Sequence, residues 1–275
     1  PLSSIHKVNH ITFVNTILYL HSTSCLFFHC SFKDSQIYIK GSNSTVIMFS
    51  GSILTGSCNL SITIEHCKVV HFSQSKLIDI ACSRGPALFL SKNIGVYVKD
   101  CFFKNISTYL MLAEHSDVLH FNNMTVRNIK VSKNIQMQER LLFSVQKVSL
   151  LILSNSFFQN ILFSVLRCLG ITDTRLLNVT FVKCVCPIRA ITNQNKSNVR
   201  FLAVGSNFIS SSCKSSGGSL VITTTSNSDF SNRRKKATEN GNLHIFLELS
   251  IDIRYSVFHN CHSELNGGAL ATEIS

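Results

Sequence analysis

Apolar and polar residues alternate along many short stretches of this chain. Leu60, Ile62 and Ile64 are separated by single polar residues, a period of two that predicts a β-strand with one buried face. Similar stretches recur along the sequence, each close to an Asn or a Cys and followed by small polar residues. Helical periodicity is weak, and Gln136–Val148 is the only segment for which we predict a helix.

One inward position of this pattern is usually aromatic and marks a repeated unit. Successive marks are separated by 23, 32, 23, 27 and 50 residues. The shortest interval predicts the length of one bare coil, and the longer intervals predict either coils with loops or a coil that the pattern does not reveal. In the last interval, residues 226–243 are predicted to be a loop insertion. The marks are Phe103, Val126, Phe158, Phe181, Phe208 and Phe258.

Short strands at irregular spacing, without a repeated Asn-Gly or Asp-Gly turn between them, argue against a meander and favour a parallel solenoid. In a solenoid, inward side chains stack on the same positions of the next coil. We therefore expect Phe to stack on Phe, and corner Asn side chains to bond the coils above and below. Glycine lets the chain turn where a Cβ would clash. Besides the phenylalanine marks, the predicted repeat residues are Asn105, Asn160, Asn260, Gly217, Gly218, Gly267 and Gly268.

Two short motifs carry a resemblance to a known family. Phe102-Phe-Lys-Asn105 and Phe157-Phe-Gln-Asn160 match F-x-x-N, while Gly267-Gly-Ala-Leu270 and Gly217-Gly-Ser-Leu220 match or nearly match G-G-A-[ILV]. In this order they resemble the β-helix repeats of polymorphic membrane proteins, as in trichomonad and chlamydial surface proteins. The resemblance covers residues 80–275 well and the first eighty weakly.

This resemblance implies an all-β, right-handed parallel β-helix of the pectin-lyase-like type, with about eight to eleven coils. We expect one solenoid over residues 1–275, as a piece of a longer protein. The resemblance also implies a cell-surface or secreted protein with an adhesion or stalk role.

Cysteines and glycosylation sequons favour a secretory route. The chain has 11 cysteines, an odd number that leaves at least one thiol unpaired or paired between chains. Each cysteine is either a disulfide partner or a small buried apolar residue, and the sequence leaves both alternatives open. Asn-x-Ser/Thr sequons mark candidate N-glycosylation sites at Asn43, Asn59, Asn105, Asn123, Asn178 and Asn195.

Composition narrows the expected partners. Charged residues are 15% of the chain, so Ser, Thr and Asn must supply much of the polar surface, and the net charge is +12. The basic residues are spread out except for Arg233–Lys236, which we predict to be a solvated loop and not a nucleic-acid site. We expect a host-cell, matrix or glycan ligand. No apolar run reaches the roughly 18 residues that span a bilayer, so we expect membrane attachment only through segments outside this sequence.

The residues that could do chemistry are dispersed. Glycoside hydrolysis needs two facing carboxylates, and only Glu248 and Asp252 share a strand face in the predicted pattern. We interpret this pair as solvated surface residues. The histidines show no zinc-ligand spacing and Cys-x-x-Cys is absent, so we expect neither a metal nor a cofactor. We expect a non-enzymatic adhesion or stalk protein, and the alternative is a polysaccharide lyase or hydrolase with a divergent site.

Overall fold

The computed structural model of the protein describes residues 5–56, 60–81, 85–107, 109–130, 141–162, 164–185, 187–193, 198–213, 220–225, 248–263 and 270–274. These residues form strands, turns and corners, and no helix occurs among them. In particular, this part of the chain contains no helix long and apolar enough to cross a membrane.

The described strands are short, mostly of three to six residues. In chain order they are β1 (Ile5–Asn9), β2 (Thr12–Val14), β3 (Ile17–His21), β4 (Ser24–Phe28), β5 (Ser31–Lys33), β6 (Gln36–Lys40), β7 (Val46–Ser50), β8 (Ile53–Gly56), β9 (Ser61–Glu65), β10 (Val69–Ser73), β11 (Lys76–Ile80), β12 (Leu88–Ser91), β13 (Gly95–Lys99), β14 (Phe102–Lys104), β15 (Met111–Glu114), β16 (Val118–Asn122), β17 (Thr125–Ile129), β18 (Leu141–Gln146), β19 (Leu150–Ser154), β20 (Phe157–Ile161), β21 (Ser164–Leu169), β22 (Asp173–Leu177), β23 (Thr180–Cys184), β24 (Ile188–Asn193), β25 (Asn198–Val204), β26 (Asn207–Ile209), β27 (Ser212–Cys213), β28 (Leu220–Thr225), β29 (Glu248–Arg254), β30 (Val257–His259), β31 (His262–Ser263) and β32 (Leu270–Ile274).

The strands form three parallel sheets of ten strands each, and the chain visits the sheets in turn. Sheet A has the order β1-β4-β7-β10-β13-β16-β19-β22-β25-β29, sheet B β2-β5-β8-β11-β14-β17-β20-β23-β26-β30, and sheet C β3-β6-β9-β12-β15-β18-β21-β24-β28-β32. Strands β27 and β31 form a separate pair. The predicted fold, a right-handed parallel β-helix, is confirmed, and ten strands per sheet lie within the expected number of coils.

The core follows from the period-two alternation. In β9, Ile62 and Ile64 are fully buried, while the intervening Thr63 lies on the outward face. Successive side chains of a strand point to opposite faces, so every coil sends one apolar set into the interior of the helix. Residues 5–56 and 60–80, where the family resemblance is weak, adopt the same coils as the rest.

The phenylalanine marks lie one above another in sheet B. Phe158 stacks on Phe181 with ring centroids 4.9 Å apart, Phe181 on Phe208 at 5.1 Å, and Phe208 on Phe258 at 4.7 Å. Parallel in-register pairing places equivalent residues at one strand spacing, which brings like rings into contact. The full column is Phe13, Phe32, Leu54, Leu77, Phe103, Val126, Phe158, Phe181, Phe208 and Phe258.

The unequal intervals between the marks come from differences in coil length. Phe208 pairs directly with Phe258, so the 50-residue interval is one coil and hides no further coil. Residues 226–247, which include the predicted loop insertion and the Arg233–Lys236 run, lie outside the described residues.

The helix predicted at Gln136–Val148 is wrong where the structure describes it. Leu141–Gln146 is strand β18, which pairs with β15 and β21 in sheet C. Its first five residues are buried on both faces, and a strand buried on both faces loses the alternation by which strands are recognised. Pairing of β18 with a strand on each side outweighs the helical preference predicted from its local sequence.

The corner between sheets A and B has the same form in every coil. Two residues connect the strands, and the first adopts a left-handed conformation. His29, Asp100 and Asn155, for example, have φ of 51°, 55° and 47°. The backbone ladder continues through this first residue, since the Asp100 N–H donates to the Asn122 carbonyl of the next coil at 3.0 Å.

In several coils the N–H of the second corner residue donates to a side-chain acceptor in the next coil. The Ser52 N–H donates to the Ser75 hydroxyl at 3.2 Å, and the Met124 N–H donates to the Ser156 hydroxyl at 3.1 Å. Ser75 is fully buried. Because a buried unpaired N–H is costly, serine at this position connects two coils.

Replacing Phe181 with alanine should destabilise the β-helix by about 3–5 kcal/mol, because it removes a buried ring from the middle of a stacked column. Phe157→Ala, which removes a half-buried ring from the outward face of the preceding coil, is the matched control and should cost clearly less. Urea unfolding followed by circular dichroism measures both. Equal losses for the two variants would contradict the assignment of the column to the core.

Ser75→Ala should cost about 1–3 kcal/mol, because it leaves the buried N–H of Ser52 without an acceptor. Ser75→Cys should cost less, because cysteine occupies the equivalent corner position at Cys30 and Cys101. The same unfolding experiment compares the two variants. A larger loss for cysteine than for alanine would show that the corner selects for size and not for hydrogen bonding.

Candidate functional site

The corner asparagines bond neighbouring coils through their side chains. At the ends of the sheet B strands, the Asn105 amide donates to the Asp79 carboxylate at 2.9 Å, and the Asn160 amide donates to Asn128 Oδ1 at 3.2 Å. All four residues have φ between 55° and 56°. Asn and Asp tolerate this left-handed conformation better than other side chains, which explains why F-x-x-N recurs.

A second ladder runs along the corner between sheets A and B. The Asn123 amide donates to Asp100 Oδ1 at 2.7 Å, and the Asn178 amide donates to Asn155 Oδ1 at 3.3 Å. Asn155 in turn donates to Asn122 Oδ1 at 3.2 Å. Side-chain amides therefore connect successive coils on the outside of two edges of the helix.

Three of the sequon asparagines belong to these ladders. Asn105, Asn123 and Asn178 are exposed and also donate to a neighbouring coil. An N-linked glycan leaves one amide hydrogen, so the ladder bond and glycosylation are chemically compatible. Asn43 is exposed in the turn before β7, and Asn59 and Asn195 lie outside the described residues. Glycosylation at these six positions stays a prediction.

The glycine motifs lead into sheet C. Leu88, Leu220 and Leu270 occupy one column of this sheet. Each is the fourth residue of a glycine-containing motif, which for Leu88 is Gly85-Pro-Ala-Leu88. Leu88 and Leu220 are buried, and Leu270 is 37% exposed. Gly217, Gly218, Gly267 and Gly268 themselves lie outside the described residues. Asn260 is exposed, with a φ of 52° at the corner after Phe258.

Most cysteines in the described part of the chain are small buried residues, and several donate a hydrogen bond from the thiol. Seven are free thiols, and six of these are buried. Cys184 Sγ donates to the carbonyls of Val182, at 3.5 Å, and of Phe158 in the preceding coil, at 3.6 Å. Ser35 Oγ makes the equivalent bonds to Lys33 and Phe13, so serine and cysteine are interchangeable at this corner.

Burial makes these thiols unreactive. It raises the pKa of Cys67 and Cys184 to about 12, and that of Cys25 and Cys101 to about 11. The thiolate is the reactive form of cysteine, so none of these four is poised as a nucleophile or a metal ligand near neutral pH.

Carboxylates do not converge in the described ranges. Asp252 forms a two-point pair with Arg254, with Oδ1 2.8 Å from Nε and Oδ2 2.6 Å from Nη2. Asp173 pairs with Arg175 in the same way, at 2.7 Å. The structure does not describe the Glu248 side chain, although Glu248 lies four residues before Asp252 in β29. No cluster of three His, Cys, Asp or Glu side chains suited to a metal occurs among the described residues.

Sheet A carries a row of rings on its outward face, which the sequence analysis missed. The Tyr97 ring packs edge-on against His71 and His120, with centroids 6.3 and 6.4 Å away. A Cβ on Gly95 would lie 2.7 Å from the Tyr97 ring, so glycine lets the ring lie over the strand. His120 Nε2 is 3.1 Å from the Ser154 hydroxyl.

This row does not form a nucleophilic dyad. Ser154 is only 7% exposed, and its hydroxyl is also within hydrogen-bonding distance of the Phe121 carbonyl and of Asn122 Oδ1. Burial lowers the pKa of His120 and of His71. The positive charge of Lys99 lowers the pKa of His71 further, and the negative charge of Asp100 opposes this effect. Both imidazoles therefore favour the neutral form.

Comparisons with known proteins give no relative for this arrangement. No family model, no curated protein and no solved structure matches the chain. The fold therefore rests on the structure alone, as a parallel β-solenoid in which Asn, Asp, Ser and Cys side chains connect neighbouring coils at the corners.

Because His71 and His120 favour the neutral form, we expect the protein to become less stable under acidic conditions. Both folded-state pKa values lie below the unfolded value of about 6.5, so under acidic conditions the unfolded chain binds more protons than the folded protein. The contribution of the two histidines to the free energy of unfolding is complete above about pH 6.5 and decreases as the pH falls below that value. We expect a lower urea midpoint at about pH 5.5 than at about pH 7.5.

The double variant His71→Gln/His120→Gln should show a smaller pH-dependent shift of that midpoint than the unmodified protein. The matched control is His115→Gln/His259→Gln, which removes two exposed histidines. If both variants change the shift equally, the row on sheet A has no special part in the pH dependence.

Proposed function

We propose that this chain is a non-enzymatic β-helical rod of a cell-surface or secreted protein, and that it acts in adhesion. The resemblance of its F-x-x-N and Gly-Gly motifs to surface-protein repeats supports the proposal. The sequons support exposure to the secretory route. The buried cysteines do not add to that support, because the seven described thiols are free.

One observation carries the proposal: four aspartates, the residue type that polysaccharide-cleaving enzymes use for catalysis, are here engaged by neighbouring side chains. Asp79 and Asp100 accept from ladder asparagines, and Asp173 and Asp252 are paired with arginines two residues away. Ten strands at about 4.8 Å spacing give each sheet an outward face about 43 Å long. An extended face of this kind suits binding along its length.

The experiment places the recombinant chain on cells, on matrix proteins and on a glycan array, and separately measures the cleavage of polysaccharides. We expect binding to at least one of these surfaces and no turnover. The alternative, a polysaccharide lyase or hydrolase, predicts turnover that Glu248→Gln or Asp252→Asn abolishes. That result would overturn the proposal, and so would a folded chain that binds none of the surfaces.

A further inference from the structure

The outward face of sheet B combines exposed cations with aromatic rings over four neighbouring strands. Lys76, Phe102, Thr125 and Phe157 lie in one column, from β11 to β20. Lys104 and Arg127 lie side by side in the next column. We call Lys76, Phe102, Lys104, Arg127 and Phe157 the basic strip.

The cations of the basic strip are exposed and repel one another. Lys76, Lys104 and Arg127 are all exposed, while Phe102 and Phe157 are half-buried. Like charges directly opposite on neighbouring strands destabilise a sheet, and Lys104 and Arg127 occupy such positions. Within the described residues, none of the three cations forms a salt bridge.

Nearby carboxylates are engaged elsewhere. Asp79 accepts from Asn105, and Asp100 accepts from Asn123 and lies 4.0 Å from Lys99. The corner ladders therefore hold the acids at the two edges of sheet B and leave the positive charge uncompensated on its face.

An aromatic ring also holds Arg127 in place. Its guanidinium carbon lies 5.2 Å from the centroid of Phe157, within the range of a cation–π contact. A guanidinium fixed against a ring keeps its N–H groups free for an anion that can accept two hydrogen bonds, such as a carboxylate or a sulfate. The same contact covers a face of Phe157 on which a nucleobase would otherwise stack, which favours a saccharide over a nucleic acid.

Resting on the adhesion function proposed above, we propose that the basic strip binds an anionic polysaccharide that runs along the helix axis. Neighbouring strands are about 4.8 Å apart, close to the length that one pyranose unit adds to an extended glycan. Successive sugar residues of such a chain lie over successive strands. Their carboxylate or sulfate groups pair with Lys104 and Arg127, and the half-buried Phe102 ring contacts their apolar faces.

The experiment measures the binding of the whole chain to immobilised heparin, polygalacturonate and a single-stranded DNA oligonucleotide. The variant Lys104→Gln/Arg127→Gln removes two charges from the basic strip. Its matched control is Arg167→Gln/Arg189→Gln, which removes two exposed charges from neighbouring strands of sheet C. All four substitutions are on exposed side chains, and equal melting temperatures verify that both variants are folded.

We expect the strip variant to raise the Kd for heparin or polygalacturonate about tenfold or more, and the control variant to change it less than about twofold. Phe157→Ala should also weaken binding, because it frees Arg127. Binding to both polysaccharides would identify the recognised group as any anion on the sugar, and binding to heparin alone would identify a sulfate.

Equal losses in the two double variants would overturn the proposal, since they would reflect net charge alone. Tighter binding of DNA than of either polysaccharide, lost in the strip variant, would also overturn it in favour of a nucleic acid. If the strip variant still adheres to cells and the unmodified chain binds no polysaccharide, the proposed polysaccharide site is wrong and the proposed adhesion function stands. If the chain cleaves a bound polysaccharide, the proposed non-enzymatic function is wrong and the proposed binding site stands.

Discussion

The core columns and the corner ladders of this molecule depend on parallel pairing that keeps nearly the same register from coil to coil. Each residue of a coil lies one strand spacing from its counterpart in the next coil, so a side chain meets a neighbour of its own kind. Phe181 is stacked between Phe158 and Phe208, and Asn178 donates to Asn155. Apolar positions thereby form columns in the core, and amides form ladders at the corners. The low share of charged residues follows from the same constraint, because like charges in a column would repel.

The sequence predicted the parts of the fold that depend on repetition within a single chain. The marks from Phe103 to Phe258 lie in one column, and Asn105 and Asn160 bond neighbouring coils at corners. Leu141–Gln146 was wrongly predicted as helix, because pairing and burial on both faces removed the periodic signal. The equivalence of Ser35 and Cys184 was also missed, since it depends on carbonyl groups that only the three-dimensional corner brings near.

The outward faces were hidden from the sequence analysis for a related reason. Lys104 and Arg127 each follow an inward mark, Phe103 and Val126, and comparison of the residues after successive marks would have brought them together. The row of His71, Tyr97 and His120 carries no such marker, because it lies on a different sheet from the marks. Glu248 and Asp252 share a strand as expected, yet Arg254 binds the Asp252 carboxylate. The binding function that we propose therefore depends on which residues occupy the same outward column.

The uniform corner between sheets A and B keeps the arrangement of these two faces constant while the length of a coil varies. Between these sheets every coil uses two residues, whereas between sheets B and C the connection ranges from the two residues after β2 to the eleven between β17 and β18. The fixed corner sets the angle between two faces and the offset from one coil to the next. The longest connection, residues 226–247, lies between β28 of sheet C and β29 of sheet A. Segments of new sequence can therefore enter on either side of sheet C, while the corner between sheets A and B keeps those two faces at a constant spacing. A protein built on this plan can vary what it displays beside sheet C without changing the faces of sheets A and B.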